Sequence, residues 1–528
     1  MSSSGPIFYD PTQRRATAVR ALGLLSVVLA AAVLAVFWAS ILAVPIAHRL
    51  RLPLPKFLPD NPRRAGESQH LPLQPERIPT ASHPISQGTT VSGKAHGVVG
   101  GFYVDWDEVS LASLKQHASE LTHLFPGWLH LNDSGDGLVL TDHDPSDDAA
   151  RAIAKEKRLA IFPLVNNFSA NKNDFDEARL HLLVSDPARR TRFVSALLGY
   201  VQSHHYGGIN IDLETERDED RVALAQLVSE IAERFHACGL EVTACTQVGD
   251  PEQAAAIARP CDFVIPMIYD LHYASGSAGP IAPERWAEQE LTHFLKVVPA
   301  DKTVLAIGNY AYDWEAGKPG AKTLTFGEAM VTAQESQDGS DGIVRWDQES
   351  ANPTFTYEEA GKRHQVWLLD APTAYNFLKF AQKQGVSGRA LWYVGSEDPT
   401  LWSCFGKGHT PTAPQALQTV KYGFELDFEG DGEVLDVATL PQTGARVLST
   451  DTQGRITGER FTHYPTSCVL RRSGKAAKAI ALTFDDGPDP RWTPAVLDAL
   501  KSANVPATFC VTGVNAQEWP DLVRRVVR

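Results

Sequence analysis

Gly207-Gly208-Ile209-Asn210-Ile211-Asp212-Leu213-Glu214 alternates apolar and polar residues with a period of two. Successive side chains of an extended strand point to opposite faces. Asn210, Asp212 and Glu214 therefore share one face, and Ile209, Ile211 and Leu213 share the other. Such a strand fits the wall of a closed barrel, polar toward the axis and apolar toward covering helices. Burying two carboxyl groups there is costly without a function. Acid/base chemistry supplies one, because neighbouring carboxyl groups push their pKa values apart. A structural pair at the barrel rim is the plainer alternative.

Outward from this strand, short apolar runs alternate with longer amphipathic stretches between about residues 97 and 405, the pattern of βα units around a parallel sheet. The runs are 97–104, 121–131, 158–167, 207–214, 240–248, 261–270, 302–312 and 388–395. Eight such runs predict an α/β fold of the (β/α)₈ (TIM) barrel type with insertions. An open doubly wound sheet is the alternative, weakened because no Gly-rich phosphate loop follows the first run. Function in a barrel sits at the C-terminal ends of the strands. Tyr103, Asp105 and Trp106 lie at the first end, Asn166 and Asn167 at the third, and Gln247 at the fifth. Tyr269 and Asp270 lie at the sixth, and Trp392 on the eighth strand.

The stretch 207–214 resembles the fourth-strand signature of family-18 glycoside hydrolases, the chitinase family, Asp-x-x-Asp-x-Asp-x-Glu. Its last two acidic positions match as Asp212 and Glu214. Met267-Ile268-Tyr269-Asp270 resembles the family's sixth-strand motif, and Asn309 to Trp314 and the Trp392 strand also fit. Phe355 to Asp370 resembles the branch found in bacterial wall and spore-cortex hydrolases. The resemblance implies substrate-assisted cleavage of N-acetylhexosamine polymers, in which the substrate's own acetamido carbonyl attacks the anomeric carbon. Glu214 would be the acid and then the base. Asp212 would orient the acetamido group and stabilise its charge, and Tyr269 would hydrogen-bond its carbonyl. Trp392 would floor the sugar site, with Tyr103, Asn210, Gln247, Met267 and Asp270 as further substrate-binding residues. No cofactor is implied for this barrel. Gly207 and Asn210 replace the first two acidic residues of the pattern. A barrel that binds carbohydrate without cleaving it is the second reading, and retention of Glu214 speaks against it.

The 528 residues carry a formal charge of −14, with 43% hydrophobic and 21% charged residues. That balance excludes a sequence-independent grip on nucleic acid and implies several domains. The six cysteines form no C-x-x-C pair. They read as buried small side chains, with a disulfide among Cys238, Cys245 and Cys261 as the alternative. Ala21 to Ala47 contains no charged residue and is long enough to cross a bilayer as a helix; a cleaved signal peptide is the alternative. Prolines then punctuate the chain from Pro53 to Pro84, which predicts an extended spacer. The expected location is the cell membrane, with a single span, a cytoplasmic N-terminus and the catalytic domains outside.

Residues 411–475 read as a β-rich connector. Thr483-Phe484-Asp485-Asp486-Gly487-Pro488 follows an apolar run. It resembles the first motif of NodB-type polysaccharide deacetylases, and Pro506 to Gly513, then Asn515, resemble the next strand of that fold. The resemblance implies Asp485 as catalytic base, Asp486 as metal ligand, and a divalent metal, zinc above all, in the complete domain. No histidine follows His463, so the family's histidine ligands are missing and the sequence predicts an incomplete second (β/α) barrel without deacetylase activity. Related multidomain proteins continue into a membrane glycosyltransferase, so a polymer-synthesis protein that trims its product is a third reading.

The expected order is thus a tail (1–20), a transmembrane helix (21–47), a spacer (48–92), the hydrolase-like barrel (93–410), the connector (411–475) and the start of a deacetylase (476–528). Without a carboxylate at position 210, Asp212 has no like-charged neighbour on that side with which to share a proton. Asn210→Asp is expected to shift the pH–rate curve without abolishing turnover; initial rates measured across pH check this, and an unchanged curve counts against it.

Overall fold

The structure, a computed structural model, describes Ala95 and residues 97–527, apart from 142–144, 170–171, 173, 338, 340–341, 423–425, 431, 433, 467 and 475–480. The apolar segment 21–47 and the spacer lie outside the described residues. Among the described residues no helix is long and apolar enough to cross a membrane.

The barrel strands are Val99–Tyr103, His123–Pro126 continuing as Leu129–Leu131, Ala160–Ile161 continuing as Leu164–Asn166, Gly208–Asp212, Glu241–Thr246, Phe263–Pro266, Val304–Gly308 and Gly388–Trp392. Every neighbouring pair is parallel, and a bridge between Val264 and Thr303 joins the sixth strand to the seventh. The second and third strands break around Pro126 and Pro163, where proline has no N–H to give to a ladder. The run expected as one strand over 302–312 is two elements. It stops at Gly308 and restarts as Ala311–Glu315 in another sheet. Between them Asn309, fully buried, turns its Oδ1 to accept the Asp398 N–H at 2.6 Å.

Alternation along the strands makes two cores. Ile209, Ile211 and Leu213 face outward and join Val165, Val242 and Ala244 against helices such as Asp218–His236. Phe102, Phe125, Phe162, Leu164, Phe263 and Ile265 face inward and fill the barrel. His123 stands among those rings, 5.3 Å from Phe162. Burial lowers its pKa to about 4, so it is a neutral plug. Gly208 is demanded by this filling. A Cβ there would sit 2.1 Å from the Glu241 carbonyl and 2.4 Å from the Phe162 ring. Aspartates cap the helices at the mouth: Asp107, Asp176, Asp186 and Asp250 each accept an N–H from the first turn that follows.

Between the seventh and eighth strands the chain inserts an antiparallel sheet, ordered Ala321–Leu324, Ala311–Glu315, Lys362–Leu368, Pro353–Glu359, Arg345–Trp346. Helix Phe326–Glu335 covers it, opened by a capping box of Thr325 and Glu328. Beyond the barrel, Thr419–Val420, Gly444–Thr450 and Ile456–His463 form one three-stranded sheet, and Leu426–Glu429, Cys468–Ser473 and Val434–Thr439 form another.

The first of these sheets is fastened to the barrel by Arg446, whose side chain has no exposure. Its guanidinium meets Asp398 at 2.7 Å, Glu459 at 3.4 Å and Asp370 at 3.5 Å. It also donates to Thr400 Oγ1 at 2.6 Å and the Leu417 carbonyl at 2.7 Å. Burial, then the Asp370 charge, pushes Glu459 well above the usual carboxylate range. One cation thus holds three buried carboxyl groups, two from the barrel and one from the sheet. Removing one partner of such a cluster leaves the others uncompensated. Arg446→Met is expected to cost roughly 3–5 kcal/mol of stability at pH 8, and less at pH 5, where the orphaned carboxyl groups take up protons; urea unfolding at both pH values measures this.

Candidate active site

Asp212 ends the fourth barrel strand, and Glu214 follows on the same face. Strand register places Asn166 beside Asp212 and Thr243 beside Asn210. The Glu214 backbone is held by one side chain. Asn167 accepts its N–H at 2.9 Å and donates to its carbonyl at 3.0 Å. The carboxylate is aimed by Gln247, whose Nε2 donates to Glu214 Oε2 at 2.6 Å.

The electrostatics are one-sided. Burial raises the Asp212 pKa, with Cys245 hydrogen bonding as a smaller opposing influence. Burial, then the Asp212 charge, raises Glu214; Asp270 and Asp174 add to this, and Gln247 opposes it. Asp270 is pushed up to about 6 by burial, against hydrogen bonds from two phenols. Those are Tyr310, donating at 2.5 Å, and Tyr312 at 3.3 Å. The Asp270 backbone lies in the left-handed region, φ 61°, a conformation uncommon outside glycine and asparagine. Tyr269 stands edge-on to Tyr310 at 6.2 Å. Its phenol is pushed up by burial and by Cys245, Asp270, Asp212 and Glu214 around it. Asp212 Oδ1 is buried and has no hydrogen-bond partner.

Trp392 closes the eighth strand, its ring 5.3 Å from inward-facing Phe102. It packs on both the barrel interior and the aromatic group of the inserted sheet. A cleft of about 1220 Å³ runs from Asp270 and Trp392 past Trp106 and Tyr393 to the insertion. A second hollow of about 780 Å³ opens on the other side, lined by Glu214, Gln247, Cys245 and Met267. The arrangement can keep one carboxyl group protonated, present a second with a free oxygen, and floor a ring-shaped substrate with an indole.

The structure thus brings together Asp212, Glu214, Gln247, Met267, Tyr269, Asp270 and Trp392. Two expected substrate-binding residues lie elsewhere. Tyr103 points outward, because strand alternation gives the inward face to Phe102; it packs on Trp128 in the layer beneath the helices. Asn210 faces the axis but is fully buried below Asp212. Its Oδ1 accepts from Thr243 at 3.0 Å and its Nδ2 donates to Cys245 Sγ at 3.5 Å, so both ends of its amide are engaged by neighbouring side chains. Sequence reading missed Asn167 as the clamp on Glu214, although its place at a strand end was the available signal. It also missed Cys245, which the alternation of 241–246 puts on the inward face, and the two tyrosines that reach Asp270 from the insertion.

Asp485 and Asp486 lie apart from these residues in sequence, on strand Thr483–Gly487 beside Thr508–Val511. Both side chains are exposed. Asp486 has φ 63°, and Asn515 Nδ2 donates to its carbonyl at 2.7 Å. A catalytic divalent metal usually needs three protein ligands. Among the described residues the one group of that kind is His181, Glu219 and Asp220, and Asp485 and Asp486 belong to none. Asp485 and Asp486 alone do not fit the expected metal.

Residues 98–397 match glycosyl hydrolases family 18, and residues 472–528 match polysaccharide deacetylase. The chain is 26% identical over 266 residues to an uncharacterized glycosylase, YvbX, of Bacillus subtilis, which covers 48% of this chain and 76% of that protein. It is 54% identical over 97 residues to a peptidoglycan-N-acetylglucosamine deacetylase of Bacillus cereus, covering 17% of this chain and only 33% of that enzyme. A chitinase from Chromobacterium violaceum superposes with a TM-score of 0.52 at 22% identity, over 58% of this chain and 96% of the chitinase. At that identity the likeness speaks for the barrel fold.

Because folding raises the pKa of Asp212 and Glu214, the folded protein holds protons that the unfolded chain gives up. Their contribution is complete below the ordinary carboxylate range and is lost as pH rises through the raised values. Replacing both by their amides removes that loss. The Asp212→Asn, Glu214→Gln protein is expected to melt a few degrees above wild type at pH 9 and close to it at pH 4; melting curves across pH read the difference.

Proposed function

Because the chain belongs to family 18 of the glycosyl hydrolases and is a carbohydrate-active enzyme, we propose that its barrel cleaves β-linked N-acetylhexosamine polymers with help from the substrate's own acetamido group. The observation that carries this reading is the unpartnered, buried Oδ1 of Asp212 beside a Glu214 that burial keeps protonated. The free oxygen suits the acetamido N–H, and orients its carbonyl toward the anomeric carbon. Glu214, steadied by Gln247, donates its proton to the leaving glycosidic oxygen and later takes one from water. As the carbonyl oxygen bonds to the anomeric carbon, positive charge develops on the ring so formed, and ionised Asp212 stabilises it. Tyr269 donates to the carbonyl oxygen, and Trp392 supports the sugar face. The configuration at the anomeric carbon is retained, because that carbon is attacked twice.

The same reading covers the rest of the chain. Ala21 to Ala47 anchors the protein in a membrane, and the barrel works on the polymer outside it. The region from 472 resembles the start of a polysaccharide deacetylase, a family that also acts on polysaccharides, so both regions point to one polymer class.

The test uses the chain as it stands, with N-acetylglucosamine oligomers and proton NMR of the fresh products. Wild type is expected to release β-anomers, and Glu214→Gln to lose about 10²–10⁴-fold in kcat. Equal binding without cleavage by both proteins overturns hydrolysis in favour of a carbohydrate-binding barrel.

A further inference from the structure

Cys245 and Asp212 are inward neighbours on adjacent strands of the barrel. Register pairs Asn210 with Thr243 and Ile211 with Ala244 across the fourth and fifth strands. The next inward pair up the barrel is Asp212 with Cys245. Thr243 Oγ1 lies 3.0 Å from Asn210 Oδ1 and 3.2 Å from the Ile209 carbonyl, and the Asn210 amide N–H donates to Cys245 Sγ at 3.5 Å. With its lone pair engaged from beneath, the thiol has its S–H left for the carboxylate above. Cys245 is buried, and burial with the nearby Asp212 and Glu214 charges keeps it a thiol. It is therefore a donor and neither a nucleophile nor a disulfide partner. The other titratable groups facing this spot are Tyr269 and Asp270. Asp212 has one oxygen with no partner, so a donor on the other oxygen fixes which one is offered to a ligand.

We propose that Cys245 is the positioning residue of Asp212: its S–H donates to the carboxylate, completing a chain from Thr243 through Asn210, and leaves Oδ1 turned toward the substrate's acetamido group. The catalytic part of this statement rests on the hydrolase reading above. A thiol here does with a neutral donor what a proton shared with a second carboxylate would do.

Two measurements test it. The first needs no turnover. The infrared S–H stretch of Cys245, isolated as wild type minus Cys245→Ser, is expected to lie below that of a free thiol and to rise in Asp212→Asn. A band that does not move overturns the proposal whether or not the barrel is a hydrolase. The second is the pH–rate profile with N-acetylglucosamine oligomers. Cys245→Ala is expected to lower kcat about tenfold with KM within about twofold. Its acid limb moves to higher pH, since Asp212 without its donor ionises later, and Cys245→Ser restores both rate and limb. Wild-type behaviour in Cys245→Ala, or equal loss in Ala and Ser variants that melt as wild type does, overturns the proposal. An active wild type and an inactive Glu214→Gln beside an unaffected Cys245→Ala leave the hydrolase reading standing and remove this one alone.

Discussion

Three carboxyl groups, Asp212, Glu214 and Asp270, share the mouth of the barrel, and no cation figures among the influences on any of them. Ionising such a group in a buried place is expensive unless something compensates. Here the compensation is entirely neutral: an amide from Gln247, phenols from Tyr310 and Tyr312, and the thiol of Cys245. Neutral donors soften the cost without abolishing it, so all three titrate above the ordinary carboxylate range. A guanidinium in the same place would make them permanent anions. The aromatic filling lies below the site, and Tyr310 and Tyr312 reach it from the insertion.

The chain solves the same electrostatic problem differently behind the eighth strand. There Arg446 gathers Asp370, Asp398 and Glu459. Asp370 also caps helix Ala371–Lys383, and Asp398 accepts from the first N–H of that helix at 3.2 Å. One cluster therefore sets the helix that precedes the Trp392 strand and the loop that follows it. A buried charge paired in this manner fixes geometry more than it adds stability. The mouth leaves its carboxyl groups without a cation, and the cluster behind it ties the frame together.

The period-two alternation of 207–214 made the fourth strand and its inward carboxyl groups legible, because that signal depends only on neighbours in sequence. The existence of eight strands was legible for the same reason. The phase of the first strand was not: Phe102 and Tyr103 are both aromatic, and only packing against Phe125 or Trp128 decides which faces the axis. The breaks in the second and third strands could be read from Pro126 and Pro163 but not placed. Cys245 looks like filler until Asn210 is seen beneath it, and Tyr310 and Tyr312 acquire meaning only when the insertion folds over Asp270. Arg446 gave no signal at all, since its partners lie 13 to 76 residues away.

The family match ends at residue 397, yet the physical unit does not. Arg446 and Arg455, the latter bound to Glu284 at 2.6 Å, and the backbone of Ile456, bonded both ways to Asn376 at 2.8 Å, belong to the barrel's own closure. A chain ended directly after residue 397 would leave Asp370 and Glu284 without the cations that meet them. The stretch up to about His463 is thus packed as part of the barrel. The deacetylase match starts only at residue 472, so a cut made after His463 would leave the barrel's cations in place.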